Sequence, residues 1–208
     1  MQQTRIQGQR IQLRENENLS ELFEFYYGIL HVTVVYYDKN QKRTKERQEG
    51  YMQVLYKSTR GKGETVTASM AILKGLSEDG GLFVPTSIPK LDVPVEKLAQ
   101  MTYQETAYEV MSRFLTDFTE EELKNCIANA YDEKFDTTEI APLHEADGAY
   151  YLELFHGSTI AFKDMALSIL PHLMTTAARK NQVKNDIVIL TATSGDTGKA
   201  ALAGFADV

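Results

Sequence analysis

The chain has 208 residues, 43% hydrophobic and 25% charged, with a formal net charge of -7. That length suits one medium domain or two small ones, and the acidic balance excludes a general nucleic-acid partner, because phosphate binding needs clustered Lys and Arg. The one cysteine, Cys126, excludes an intrachain disulfide framework and fits a reducing cytoplasm.

Residues 1–51 open with Gln- and Arg-rich sequence and pass into an aromatic and β-branched run from Phe25 to Tyr37. A hairpin or strand pair suits that run, without a decisive turn signal. The most apolar stretch, Leu22 to Tyr37, is interrupted by Glu24 and His31 and falls short of the ~20 apolar residues a membrane helix needs. No small-residue cleavage pattern follows it, so it reads as neither membrane span nor secretory signal. The basic stretch Lys39 to Arg47 is diluted by Glu46 and followed by Glu49, and reads as a solvated tail rather than a nucleic-acid patch.

Residues 52–140 read as mostly helical. Ala68, Ala71, Ile72 and Leu76 form a helical stripe over Thr67 to Leu76. Gly80-Gly81 and Pro85 punctuate a turn around Leu82-Phe83-Val84. Val95 to Met101 and Thr106 to Phe114 are helical candidates. Thr119-Glu120-Glu121-Glu122 is a capping box ahead of Leu123, Ile127 and Tyr131, and its carboxylates suit a helix N-terminus better than a metal. Cys126 on that helix reads as a small buried hydrophobe.

Residues 141–208 alternate. Tyr150 to Phe155 reads as a strand. Thr159 to Lys180 reads as one long helix that Pro171 should bend or break. Asp186 to Ala192 is almost wholly apolar, as a strand buried on both faces would be. A loop, Thr193 to Gly198, leads into an Ala-rich helix. Strand, helix, strand, loop, helix implies an α/β fold with a parallel sheet.

Ligands of such sheets bind where strands end and helices begin, and two loops fall at that edge. The first, His156 to Asp164, places Lys163 in the first turn of a helix, where the positive end of the dipole disfavours an ammonium. The apolar neighbours Ile160, Ala161 and Phe162 add desolvation, while Asp164 acts the other way. A neutral lysine amine can attack an aldehyde. Most helix lysines are solvated surface residues, so this signal is weak by itself. The second loop is Ser194-Gly195-Asp196-Thr197-Gly198. It fails as a nucleotide-type phosphate loop, because Thr193 stands where the first Gly is required and Ala200 where a Ser or Thr should follow Lys199. An anion-binding loop at a helix start and a plain tight turn both remain open.

At these residues the chain resembles threonine synthase. Glu153 to Asp164 is similar to that family's cofactor-lysine motif, and Thr191 to Gly198 to its second motif. Ser58-Thr59-Arg60 and Gly75 to Pro85 resemble its N-terminal segment. The likeness covers residues 52–208, with Ser158 standing where the family usually has proline. It implies a helical N-terminal domain (52–140) followed by the start of a PLP-dependent fold type II, tryptophan synthase β-like, parallel-sheet domain (141–208), truncated. It implies pyridoxal 5'-phosphate (PLP) as cofactor, Lys163 as the Schiff-base lysine, and Phe162 and Asp164 shaping the cofactor pocket. Ser194, Gly195, Asp196, Thr197 and Gly198 would bind the carboxylate of the substrate, O-phospho-L-homoserine, which such enzymes convert with water into L-threonine and phosphate. His156, Ser58 and Arg60 are weaker candidates for the substrate phosphate, and a structural role for His156 is the stronger reading.

Family chains are more than twice this long, so the chain is expected to be inactive, or nearly so, by itself. Residues 1–51 match nothing in the family. Because Gln48-Glu49-Gly50-Tyr51 can be encoded by a purine-rich run before Met52, the zone reads as translated upstream sequence, with a partner-docking extension as the rival. The alternatives to threonine synthase are another PLP-dependent amino-acid lyase of the same fold and a non-catalytic product or binding module. No membrane partner is expected, and the sequence leaves the oligomeric state open.

Overall fold

A computed structural model describes residues 53–206 and 208, together with the backbone of residues 32–35. The readings of the apolar run before Val32 and of the basic stretch 39–47 lie outside the described residues. In chain order the elements are β1 (Val32–Val35), β2 (Tyr56–Ser58), α1 (Ala68–Lys74), β3 (Phe83–Pro85), α2 (Val95–Leu98), α3 (Tyr103–Phe114) and α4 (Glu120–Ala130). They are followed by β4 (Leu143–Ala146), β5 (Ala149–Leu152), α5 (Asp164–Leu167), α6 (Leu170–Lys180), β6 (Val188–Thr191) and α7 (Asp196–Phe205).

Local chemistry explains most of these boundaries. Thr67 caps α1 by accepting the Met70 N–H, and Gly75 ends it at φ 63°, a conformation glycine adopts without a Cβ penalty. Thr119 and Glu122 close the expected capping box on α4. A second box, Thr102 with Glu105, starts α3 at Tyr103, three residues before the expected Thr106. Its Thr-x-x-Glu spacing is the same local signal as that of α4. Replacing Thr119 by Ala leaves the Glu122 N–H without its acceptor, and urea denaturation is expected to report a loss of about 1 kcal/mol.

The main core lies where α1, α4 and α6 meet. Leu73, Leu123, Ile127, Ala130, Leu173, Met174 and Ala177 are all buried there. Cys126 is buried among them as expected, its Sγ 3.5 Å from Thr176 Oγ1, and burial pushes its thiol pKa up. Two polar ties register the helices. Lys180 Nζ meets Glu122 Oε2 at 2.8 Å, and Asn181 Nδ2 donates to Ser69 Oγ at 3.0 Å.

The strand pairing departs from expectation. All three described ladders are antiparallel and two-stranded: β1 with β6, β2 with β3, and β4 with β5. The expected parallel ladder between the segments at 150–155 and 186–192 is not formed. β5 is only four residues long and pairs with its sequence neighbour through Asp147 (φ 52°) and Gly148 (φ 73°). Two successive positive φ angles make the tight hairpin turn that Asp-Gly favours. β6 takes β1 as its partner, with Val32 opposite Thr191 and Val35 opposite Val188. Nor is β6 buried on both faces. Ile187 and Ile189 pack on the core, while Val188 and Leu190 are exposed.

The long helix expected over 159–180 is two helices. Pro171 lies in the first turn of α6, where it lacks no needed N–H, and the chain breaks just before it at Ser168 and Ile169. Residues 159–163 form turns ahead of the short α5. α2 likewise stops at Leu98 rather than Met101. α7 packs on α5 by close backbone approach: a Cβ at Gly204 would stand 2.1 Å from the Leu167 carbonyl oxygen. Among the described residues, no helix is long and apolar enough to cross a membrane.

Candidate functional site

Lys163 stands immediately before α5, at its N-cap. It opens onto a cleft of about 600 Å³ lined by Tyr103, Leu152, Leu154, Phe162 and Met165 among others. Its Nζ lies 4.2 Å from the centroid of the Phe162 ring. The walls are therefore apolar and aromatic, with the lysine amine and the Tyr103 phenol as polar groups. The desolvation expected from the lysine's neighbours is not built as the sequence suggested. Ala161 is buried, but Ile160 and Phe162 are 74% and 60% exposed, because the residues form an open turn instead of a packed helical turn.

Asp164 is not among the residues that line the cleft. It is 2% exposed, and its two oxygens accept from Thr159, Oδ2 from the backbone N–H at 2.8 Å and Oδ1 from the hydroxyl at 2.6 Å. The carboxylate thus closes the loop 159–164 on itself. Gly157 makes room for it, since a Cβ there would stand 2.5 Å from Asp164 Oδ2. Asp164 therefore reaches the site through the loop that carries Lys163 and Phe162.

His156 is clamped between carboxylates. Nε2 lies 2.8 Å from Glu153 Oε2 and Nδ1 lies 2.5 Å from Asp136 Oδ1, and the ring stacks on Phe155. The bonds to Glu153 and then Asp136 push the imidazole pKa up. Both nitrogens are occupied and two negative charges flank the ring, which suits a brace at the end of β5 and not a donor to a phosphate.

The second loop sits as expected between β6 and α7. Gly195 adopts φ 140°. Thr193, unremarked in the sequence as a cap, accepts from the N–H groups of both Gly195 (3.2 Å) and Gly198 (2.9 Å). A Cβ at Gly198 would stand 2.8 Å from the Thr193 hydroxyl. Thr193 leaves the leading amides of Asp196 and Thr197 at the helix start, where an anion is favoured. Asp196, exposed, lies 3.8 Å from Lys199. None of Ser194 to Gly198 lines the Lys163 cleft.

Ser58 and Arg60 do not line the cleft either. They belong to a clip around Asp79. Ser58 Oγ donates to Asp79 Oδ1 at 2.6 Å, Gly81 N–H to the same oxygen at 2.9 Å, and Lys62 N–H to Oδ2 at 3.1 Å. Arg60 reaches the Asp79 carbonyl at 2.9 Å. The Ser58 bond first, with those backbone donors, lowers the carboxyl from its ordinary 3.8 to about 2. A depressed pKa contributes stability above the unfolded value, and the contribution disappears as pH falls through the folded one. Asp79→Asn should therefore melt below the parent at neutral pH, the gap closing between pH 3.8 and about 2. An equal gap at pH 2 and pH 7 would contradict this.

Residues 55–131 match the family model described as threonine synthase N terminus. The chain is a relative of the threonine synthases. It is 41% identical over 163 residues to threonine synthase of Schizosaccharomyces pombe, covering 74% of this chain and 32% of that protein. It is 38% identical over 154 residues to the Pseudomonas aeruginosa enzyme, covering 72% and 32%. Among solved structures, PLP-bound threonine synthase from Brucella melitensis superposes with a TM-score of 0.63 at 31% identity, covering 73% of this chain and 33% of that one. The fold is thus the opening of the fold type II architecture, as the resemblance implied, although its described strands pair only antiparallel. The chain spans about a third of the length of these relatives.

Proposed function

We propose that this chain carries the cofactor-lysine segment of a PLP-dependent threonine synthase, acting on O-phospho-L-homoserine and water to give L-threonine and phosphate. The observation that carries the reading is the position of Lys163: at the head of α5 it lines a mostly apolar cleft, its amine 4.2 Å from the centre of the Phe162 ring. The relationship to threonine synthases, at 41% identity to the fission-yeast enzyme, supports it. The apolar lining, Phe162 and Leu154 among it, would suit a pyridine ring, and Lys163 would supply the amine that bonds an aldehyde.

Bound there, PLP supplies the electron sink that lets negative charge build up on the substrate carbons. Lys163 is the group that holds it and that, once released, moves protons at the α and β carbons of the substrate. The Phe162 ring lies beside the amine, and Leu152, Leu154 and Met165 give the cleft its apolar lining. Asp164 keeps the lysine's loop closed. The Ser194 to Gly198 loop offers the Asp196 and Thr197 amides to the substrate carboxylate. These are preset donors that need no deprotonation. Cytoplasmic location is part of the same proposal.

The test is chemical. The chain is incubated with PLP, reduced with borohydride, digested and weighed. The pyridoxyl group is expected on the peptide bearing Lys163. A label confined to other lysines, or no label, overturns the reading.

A further inference from the structure

α5 has only four residues, so its carbonyls cannot all be met by its own N–H groups. One of them is met from far away in the sequence. The hydroxyl of Tyr131, the residue that ends α4, donates to the Met165 carbonyl at 2.8 Å. Tyr131 is 3% exposed, and burial raises its phenol pKa, so the group stays a donor. The tyrosine is itself held from α3. Gln104 Nε2 donates to the Tyr131 carbonyl at 2.7 Å, and the Tyr103 ring packs edge-on against it, centroids 4.8 Å apart at 71°. Tyr103 also lines the Lys163 cleft.

We infer that Tyr131 is a positioning residue for Lys163: its hydroxyl pins α5 two residues after the lysine and ties the amine's place to the α3–α4 pair. This rests on the reading of Lys163 as the cofactor lysine. It gives the helical segment a task beyond burying apolar surface. Met165 is half-buried, and its carbonyl takes the Tyr131 hydroxyl where α5 ends, so losing the bond costs about what one neutral hydrogen bond contributes. α5 is otherwise held by α7, through the close contact of Gly204 with the Leu167 carbonyl. The lysine's short helix is therefore approached at two of its carbonyls, Met165 by a phenol and Leu167 by the backbone of α7.

Tyr131→Phe removes the hydroxyl and keeps the ring. In the whole chain, PLP labelling at Lys163 is compared by mass analysis with labelling at the exposed Lys124 of the same molecules. The ratio is expected to fall about fivefold, the rate equivalent of one lost neutral hydrogen bond. Thr119→Ala, a cap lesion at the other end of α4, is expected to leave the ratio at the parent value. An unchanged ratio in Tyr131→Phe overturns the inference, as does an equal fall in Thr119→Ala, which would reduce the effect to general loosening. No label on Lys163 in the parent instead overturns the cofactor reading itself.

Discussion

If Lys163 holds the cofactor as proposed, Lys163→Ala is expected to abolish the bond to it and, with it, phosphate release. The natural setting for the assay is a chimera in which residues 53–208 replace the matching N-terminal third of the fission-yeast threonine synthase. There the substitution is expected to lower the rate at least about 1000-fold, because one amine serves as both covalent anchor and proton carrier. Little of that loss can come from unfolding. The amine's recorded ring contact is the one with Phe162, itself 60% exposed, and an exposed contact of that kind is worth about 0.5–1 kcal/mol. Lys163→Arg separates chemistry from charge. It keeps a cation over the ring but cannot form the bond, and it should be as inactive as the alanine variant. Activity retained in the arginine variant would mean that the lysine acts only as a cation.

Asp164→Ala is the change expected to cost the most stability near the site. It removes both acceptors of Thr159, whose N–H and hydroxyl are buried with it. Bonds to a carboxylate contribute about 1.5–3 kcal/mol each, and the two share one geometry, so a loss of about 2–4 kcal/mol is expected in urea denaturation at neutral pH. Asp164→Asn should fall between parent and alanine, since one carbonyl oxygen can still accept while the amide group faces a donor. Thr159→Val approaches the same loop from the other side. If the bonds are the cause, the double variant Asp164→Ala with Thr159→Val loses less than the sum of the singles. A loss under about 0.5 kcal/mol for Asp164→Ala would mean that water replaces the carboxylate.

The features legible in the sequence are those whose cause lies within a turn or two of chain. Thr119 and Glu122 are three residues apart, and so are Thr102 and Glu105. Asp147-Gly148 carried its hairpin in two letters, yet the strand after it was read as a member of a parallel sheet. Pro171 marks an interruption, although the chain breaks just ahead of it and not at it. The candidate lysine was legible only because its neighbours formed a family motif. Its own physical signal, desolvation by Ile160 and Phe162, is absent from the folded turn.

What the residues determined unaided was local: the capped start of α4, the interruption at Pro171, the buried Cys126 and the loop ahead of α7. Tertiary structure alone decided that β6 pairs with β1, that Asp164 turns inward to Thr159, that His156 is held by Asp136, and that Tyr131 supports α5. The reason is the range of the forces involved. A cap or turn is satisfied by atoms the chain brings together whatever the rest does, whereas a leftover carbonyl, a strand edge or an imidazole takes its partner from whichever distant segment packing delivers.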